Sequence, residues 1–216
     1  MEGFLTVLGY TEFLLKGLKF TVELSLIGMA AGTVVGILSA LALLSPVRVV
    51  RWLGIIYLDI FRSTPVLVQF IWVYYALPVI SGISLSPMVA GSLVLTLYSG
   101  SFHTETFRAG ILSIERGQRE AAMALGMRPR QIMLRIILPQ ATVRMLPAYA
   151  STLVTLVKDS ALASAISVPE LLRQGATIAS YTMLPVQSLL VVAVIYFLLT
   201  YPMSRFVNYL HERLRV

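Results

Sequence analysis

Residues 120–139 read Glu120-Ala121-Ala122-Met123-Ala124-Leu125-Gly126-Met127-Arg128-Pro129-Arg130-Gln131-Ile132-Met133-Leu134-Arg135-Ile136-Ile137-Leu138-Pro139. The fixed points are Glu120, Ala121, Ala122, Gly126, Ile136, Leu138 and Pro139, in the pattern E-A-A-x3-G-x9-I-x-L-P. The run stands between long apolar stretches and carries Arg128, Arg130 and Arg135, so it belongs at a membrane surface rather than in hydrocarbon. Helical character extends back to about Ile111, placing Ile111, Ile114, Ala121 and Leu125 near one face and Glu115 four residues ahead of Arg119, the favourable order for a helical ion pair. Gly126 suits a left-handed helix end, Pro129 the first turn of a second short helix, and Pro139 is expected to end that helix. Residues 111–139 therefore read as two short helices joined by a tight turn, with Ala121 and Ala122 small enough to sit deep in a partner's groove. A plain linker between two spans is the alternative, but it requires neither this length nor this spacing.

Working outward, the rest of the chain is membrane-like. Of 216 residues, 57% are hydrophobic and 12% charged, against roughly 25% charged in soluble domains. Mean hydropathy is +0.84. That length suits a single transmembrane domain, residues 1–216, and leaves no room for a separate soluble catalytic domain. No G-x4-G-K-[ST] loop occurs, so any ATPase is expected in another chain. The chain has no cysteine, which excludes disulfides and thiolate metal sites.

Five apolar segments approach the roughly twenty residues that a helical span requires: 20–44, 55–78, 88–107, 141–163 and 184–206. The last is the clearest. The fourth is interrupted by Pro147, Lys158 and Asp159. The fold class expected is thus all-α, with five transmembrane helices and an exposed segment between the third and fourth.

Orientation follows from basic residues, which accumulate in cytoplasmic loops. Arg48 and Arg51 follow the first span; Arg108, Arg116, Arg119, Arg128, Arg130 and Arg135 lie between the third and fourth; Arg205, Arg213 and Arg215 close the chain. The opposite side keeps Lys16, Lys19 and Arg173, and the loop from Pro78 to Pro87 has no charge. The N-terminus is expected outside and the C-terminus inside. The net charge of +7 is spread beside apolar spans, so topology accounts for it and nucleic acid is not an expected partner. Glu2 and Glu12 precede the first apolar run without a basic cluster, so that run reads as a retained span rather than a cleaved signal. Within it Gly28, Gly32 and Gly36 recur every four residues, extended by Ala40, which marks one helical face for close packing.

Further segments join the first to give a resemblance. Phe61-Arg62-Ser63-Thr64-Pro65 is followed by Val68-Gln69; Glu105 precedes Phe107-Arg108-Ala109-Gly110-Ile111; Leu156-Val157-Lys158-Asp159-Ser160 precedes Ala163-Ser164. With the E-A-A run, the chain resembles, over nearly its whole length, the permease subunit of type I ATP-binding-cassette importers of the histidine, glutamine, arginine and glutamate group. Tyr98 is a departure, standing where many members carry Asn. The resemblance implies a bacterial cytoplasmic-membrane protein paired with a second permease, as a homo- or heterodimer. It further implies two ATPase subunits that bind ATP and Mg, and an external solute-binding protein. The 111–139 segment would then be the ATPase-coupling element.

Charge inside a span is costly and faces a cavity or a partner. Tyr98, Ser101, Phe102 and Glu105 fall near one face of the third span, Thr152, Thr155 and Asp159 near one face of the fourth beside Lys158, and Gln69 lies inside the second. A zwitterionic solute needs an acceptor for its ammonium and a donor for its carboxylate, and Gln69, Tyr98, Ser101, Glu105, Thr155, Lys158 and Asp159 offer both. The structural alternative pairs Glu105 with Arg108 and Lys158 with Asp159 or a helix end; a gating role is a third reading. His103 and His211 have no ligand partner at metal spacing. His211 reads as interfacial. No nucleophile motif is present, so no enzyme is expected within the chain. The function expected is a permease moving a polar amino acid, or another small polar solute such as an opine. A self-sufficient ion-coupled carrier or channel is the competing class, and it has no use for the 111–139 segment.

Overall fold

The computed structural model describes residues 2–214; Arg215 lies outside the described residues. In chain order the helices are α1 (Glu2–Leu8), α2 (Thr11–Leu43), α3 (Arg48–Ser63), α4 (Val66–Ile71), α5 (Leu77–Ser81), α6 (Pro87–Leu112), α7 (Arg116–Ala124), α8 (Pro129–Ile132), α9 (Leu138–Asp159), α10 (Leu171–Thr182) and α11 (Pro185–Arg213). There is no strand among the described residues. The molecule is all-α.

The framework is the α2–α6 pair, and glycine makes it possible. A side chain at Gly28 would bring its Cβ 3.0 Å from that of Leu95, and one at Gly36 would stand 2.6 Å from the Cβ of His103. At Gly32 it would collide with the Ser99 hydroxyl and stand 3.1 Å from the Gly100 nitrogen. The two backbones touch directly. Ser99 Oγ donates to the Gly28 carbonyl at 2.8 Å, exploiting the same proximity. The stripe read from the sequence as a packing face is therefore the seam between the first and third apolar segments. Around it Leu24, Phe70, Val94, Leu95, Leu156 and Ile166 form the main buried cluster.

The second apolar segment departs from expectation. Instead of one helix over 55–78, α3 ends at Ser63 and the chain turns by 106° before the run Val66–Ser81. Thr64 is extended (φ −103°, ψ 137°), as a residue before proline prefers, and Pro65 opens α4. Gln69 closes this corner: its amide nitrogen donates to the carbonyls of Phe61 (3.1 Å) and Thr64 (3.0 Å) and to the Thr64 hydroxyl (3.0 Å). Two carbonyls at the α3 terminus, those of Phe61 and Thr64, are thereby satisfied within the chain.

The fourth segment is broken, but not where its prolines stand. Pro147 lies buried inside α9, and the α-helix persists to Asp159. A 3₁₀ stretch, Ser160–Ile166, follows, and Ser167 takes a left-handed conformation (φ 65°). Glu170 then caps α10, accepting from the backbone N–H groups of Leu172 (2.8 Å) and Arg173 (2.7 Å) and from the Tyr196 hydroxyl (2.8 Å). The helix α10 was not foreseen from hydropathy, being short and half polar.

Pro139 is a second correction. It does not end a helix: a π-turn, Met133–Ile137, carries α8 straight into α9, with the Leu138 N–H bonding the Met133 carbonyl five residues back. The wider turn makes room for the proline ring, which clashes with a normal α-helical carbonyl. The same succession occurs at Trp72–Ala76 before Leu77-Pro78.

Length and apolarity qualify α2 and α11 as spans by themselves, and the two bent pairs, Arg48–Ser63 with Val66–Ser81 and Pro129–Ile166 with Leu171–Thr182, as two more. The 26-residue α6 is about 39 Å long, enough to cross the hydrocarbon, though its polar and charged side chains dilute its hydropathy. The first span also starts earlier than read, since α2 begins at Thr11.

Candidate functional site

Between α6, α9 and the end of α11 lie two adjoining cavities of about 660 and 410 Å³, which share Phe102, Thr106, Ala148 and His211. The larger is walled by charge. Glu105 accepts two hydrogen bonds from Arg108, both 3.0 Å, and Arg62 stands 3.8 Å from its second oxygen. Arg62 also lies over the Phe102 ring, 5.7 Å from its centre. Across the cavity, Arg144 reaches the Ser113 carbonyl at the end of α6. The smaller cavity is lined by hydroxyls: Tyr98 from α6, and Ser151, Thr152 and Thr155 from α9. Asp159, at the end of α9, stands against the Tyr98 hydroxyl. The two adjoining cavities thus offer cations and a carboxylate in the larger and neutral hydroxyls in the smaller, with Asp159 behind Tyr98.

The residues singled out in the sequence divide. Tyr98, Glu105 and Thr155 line the space. Asp159 borders it through Tyr98; Lys158 is exposed and makes no ion pair among the described residues. Ser101 does not line it: its side chain is fully buried and its hydroxyl donates to the Tyr98 carbonyl at 2.6 Å. Gln69 does not either, being buried at the corner after α3. Nor does Glu105 meet Lys158; its partners are Arg108, as the structural alternative had it, and Arg62, which that alternative did not include. Three ionisable wall residues escaped the sequence reading, namely Arg62, Arg144 and His211. Arg62 was visible inside Phe61-Arg62-Ser63-Thr64-Pro65; His211 was not, because no local pattern tells that the end of α11 packs beside α9. His103 is wholly buried beside Tyr149 and Phe107, its ring centre 4.8 Å from that of Tyr149.

The 120–139 segment forms a compact unit of its own. Gly126 is left-handed (φ 72°), its N–H bonds the Met123 carbonyl at 2.9 Å, and the Met127 N–H bonds the Ala122 carbonyl at 3.1 Å. This paired closure is the Schellman ending expected of glycine after a helix. The Arg128 N–H is held by the Gln131 side chain at 2.9 Å, starting α8 with Pro129 in its first turn. Ala122, Ile114, Ile132, Ile137, Ala141 and Met145 share a small core, with Ile136 packed against it. Some of the sequence reading is corrected here. Helix α6 stops at Leu112 and α7 starts anew at Arg116, so Glu115 is a cap residue and forms no ion pair with Arg119. Ala122 points into the chain's own core, while Leu125 is 82% exposed and Met123 55% exposed. Glu120, Ala121 and Pro139 are exposed as well, and Leu138 is half-buried.

Comparison with known proteins agrees with this arrangement. Residues 32–216 match the family model described as binding-protein-dependent transport system inner membrane component. The glutamate transport system permease protein GluD of Corynebacterium glutamicum is 35% identical over 95% of this chain and 76% of its own length. The probable glutamine ABC transporter permease protein GlnM of Bacillus subtilis is 34% identical over 93% of this chain and 92% of its own. A crystal structure of an amino acid ABC transporter with histidines superposes with a TM-score of 0.92 at 31% identity, covering 97% of this chain and 98% of the other. Sequence and fold lead to one assignment: the chain belongs to the family of binding-protein-dependent transport system inner membrane components.

Proposed function

We propose that this chain is the permease subunit of an ATP-binding-cassette importer that moves a polar amino acid delivered by an external binding protein, driven by ATP hydrolysis on separate subunits. The observation that carries this reading is the polar face of α9. Ser151, Thr155 and Lys158 are exposed on the single chain although they lie on a membrane-crossing helix. Hydrocarbon does not tolerate such a stripe, so it faces a water-filled path or a second permease. The α6–α9 space opens along this stripe, and Tyr98, Glu105, Thr155, Lys158 and Asp159 are its solute-contacting candidates. Gln69 and Ser101 act one step back, holding the corner after α3 and the Tyr98 turn. The names of the relatives support an amino acid as cargo.

The 111–139 segment is the coupling element, with Glu120, Ala121, Ala122, Gly126, Ile136, Leu138 and Pro139 as its fixed points. The exposed Met123 and Leu125 form the contact with an ATPase subunit, which holds ATP and Mg. The chain is a single domain of five spans, with the N-terminus outside and the C-terminus on the cytoplasmic side of the bacterial inner membrane.

The test is uptake of labelled polar amino acids by vesicles containing the chain, its partner permease, the ATPase and the binding protein. Uptake is expected to require ATP and binding protein together. Asp159→Asn should leave assembly intact and lower uptake, and Leu125→Asp should uncouple hydrolysis from liganded binding protein. Uptake that persists without ATP would establish the carrier reading instead.

A further inference from the structure

Helix α3 bears two arginines that no carboxylate answers. The ion pairs among the described residues are Lys19–Glu23, Arg62–Glu105 and Arg108–Glu105, so Arg48 and Arg51 are unpaired, and both are exposed. With Trp52 and Ile55 they follow the i, i+3, i+4, i+7 spacing that places side chains on one helical face. Together with Val49 these four line a cavity of about 380 Å³. Through Arg51 and Ile55 it adjoins a second of about 320 Å³, otherwise lined by Leu43 and Leu58 and by the charged Asp59, Glu105 and Arg108.

The helix itself has the character of one lying along a bilayer surface. The 106° corner after Ser63 means that α3 and the run that follows cannot both stand along the membrane normal. The opposite face of α3 is held by the protein: Gly54 and Leu58 are buried, Gly54 faces Leu43 of α2, and the Tyr57 hydroxyl donates to the Leu97 carbonyl of α6 at 2.6 Å. What remains outward is a basic end beside exposed Val49, Val50, Trp52 and Leu53. Apolar side chains with arginine and tryptophan at one end suit the boundary between headgroups and acyl chains.

We propose that Arg48, Arg51, Trp52 and Ile55 bind one anionic phospholipid of the surrounding bilayer. The guanidiniums hold its phosphate, since arginine's fork of donors matches phosphate oxygens. Trp52 and Ile55, with Val49, flank the glycerol and first acyl carbons, and the chain runs on into the bilayer. No acidic side chain stands in the first turn of α3 to compete. Asp59 and Glu105 line only the second cavity, which keeps the headgroup at the Arg48 end. A free anion would satisfy the arginines but leave the apolar half of the site empty, which is why the occupant is a lipid. Placing it in the cytoplasmic leaflet rests on the orientation proposed above; the lipid preference does not.

The chain has two tryptophans, so a Trp72→Phe variant leaves Trp52 as the sole reporter. The full chain is reconstituted in vesicles of equal parts phosphatidylglycerol and phosphatidylcholine, with bromine-labelled chains on one lipid or the other. Phosphatidylglycerol is expected to occupy the site on the order of tenfold more strongly. That preference should fall to parity in Arg48→Gln/Arg51→Gln and survive largely in Arg48→Lys/Arg51→Lys. Equal quenching by the two lipids, an unchanged preference in the glutamine variant, or relief by inorganic phosphate would overturn the proposal. Quenching by neither lipid would overturn it as well, with a second permease then covering the face. Should the glutamine variant not assemble, native mass spectrometry of the unaltered complex decides: phosphatidylglycerol retained where phosphatidylcholine is stripped supports the site, and equal loss refutes it.

Discussion

Gly126 isolates backbone from packing. At φ 72° no atom stands within 4 Å of where its Cβ would be, so a substitution meets conformational strain alone. Gly126→Val is expected to cost on the order of 1 to 2 kcal/mol locally and to tilt α7. ATP hydrolysis by the reconstituted complex should lose its response to liganded binding protein, whereas Gly126→Asn should keep most of it; a wild-type response in the valine variant would sink the coupling role of this turn. This residue was legible because a glycine after a helical run has one common use. Gln69 was not, since a hydropathy window registers a polar residue in an apolar run without revealing which carbonyls it meets. Gln69→Leu strands the Phe61 and Thr64 carbonyls and should destabilise the fold by about 1 to 3 kcal/mol, read as a lower thermal midpoint in detergent. Glu105 was placed near the right space but given an open alternative between solute and structure. Its bidentate bond to Arg108 predicts that Glu105→Gln lowers thermal stability and that Glu105→Gln/Arg108→Met recovers much of the loss. Additive losses in the double variant would show that the two do not act as a pair.

Glycine spacing of four can be read from a sequence because it is a helical period; a helix corner cannot, when the residues on both sides are equally apolar. Hence the packing face of α2 was foreseen, though not α6 as its partner, and the bend after α3 was not, even though Thr64-Pro65 carried the signal. Pro139 misled for a different reason: the π-turn before it removes the clash on which the helix-ending rule rests. The seam makes a contrast testable within one protein. Gly32→Val would drive two methyl groups into Ser99 and the backbone of Gly100, so the purified yield and thermal midpoint should collapse. Gly117, on exposed α7, has nothing within 4 Å. Gly117→Ala should therefore stabilise that helix by roughly 0.5 to 1 kcal/mol. Equal effects at the two sites would mean that the seam is looser than these distances state.

Over the whole molecule, the arrangement of basic residues makes a prediction that is independent of packing. The native chain lacks cysteine, so a single introduced thiol reports its side of the membrane without background. Ser84→Cys should react with an impermeant reagent in intact cells, and Arg130→Cys only after permeabilisation; both positions are exposed. The reverse pattern would invert the topology. The span boundaries shifted between sequence and structure while the order of apolar segments did not, because hydropathy reports what is buried in lipid and not where hydrogen bonding changes register.

The π-turn at Met133–Ile137 leaves α8 and α9 as one unbroken helical rod from Pro129 to Asp159. At 1.5 Å per residue that rod is about 45 Å long, so a tilt of about 10° at its α7 end would carry the Asp159 end sideways by about 8 Å. A rod of this kind acts as a lever: small displacement at the end where Leu125 is proposed to meet an ATPase subunit, large displacement where Tyr98 and Asp159 meet. A conventional proline break at Pro139 would have put a loose joint in the middle of that arm and dissipated the motion before it reached the cavity.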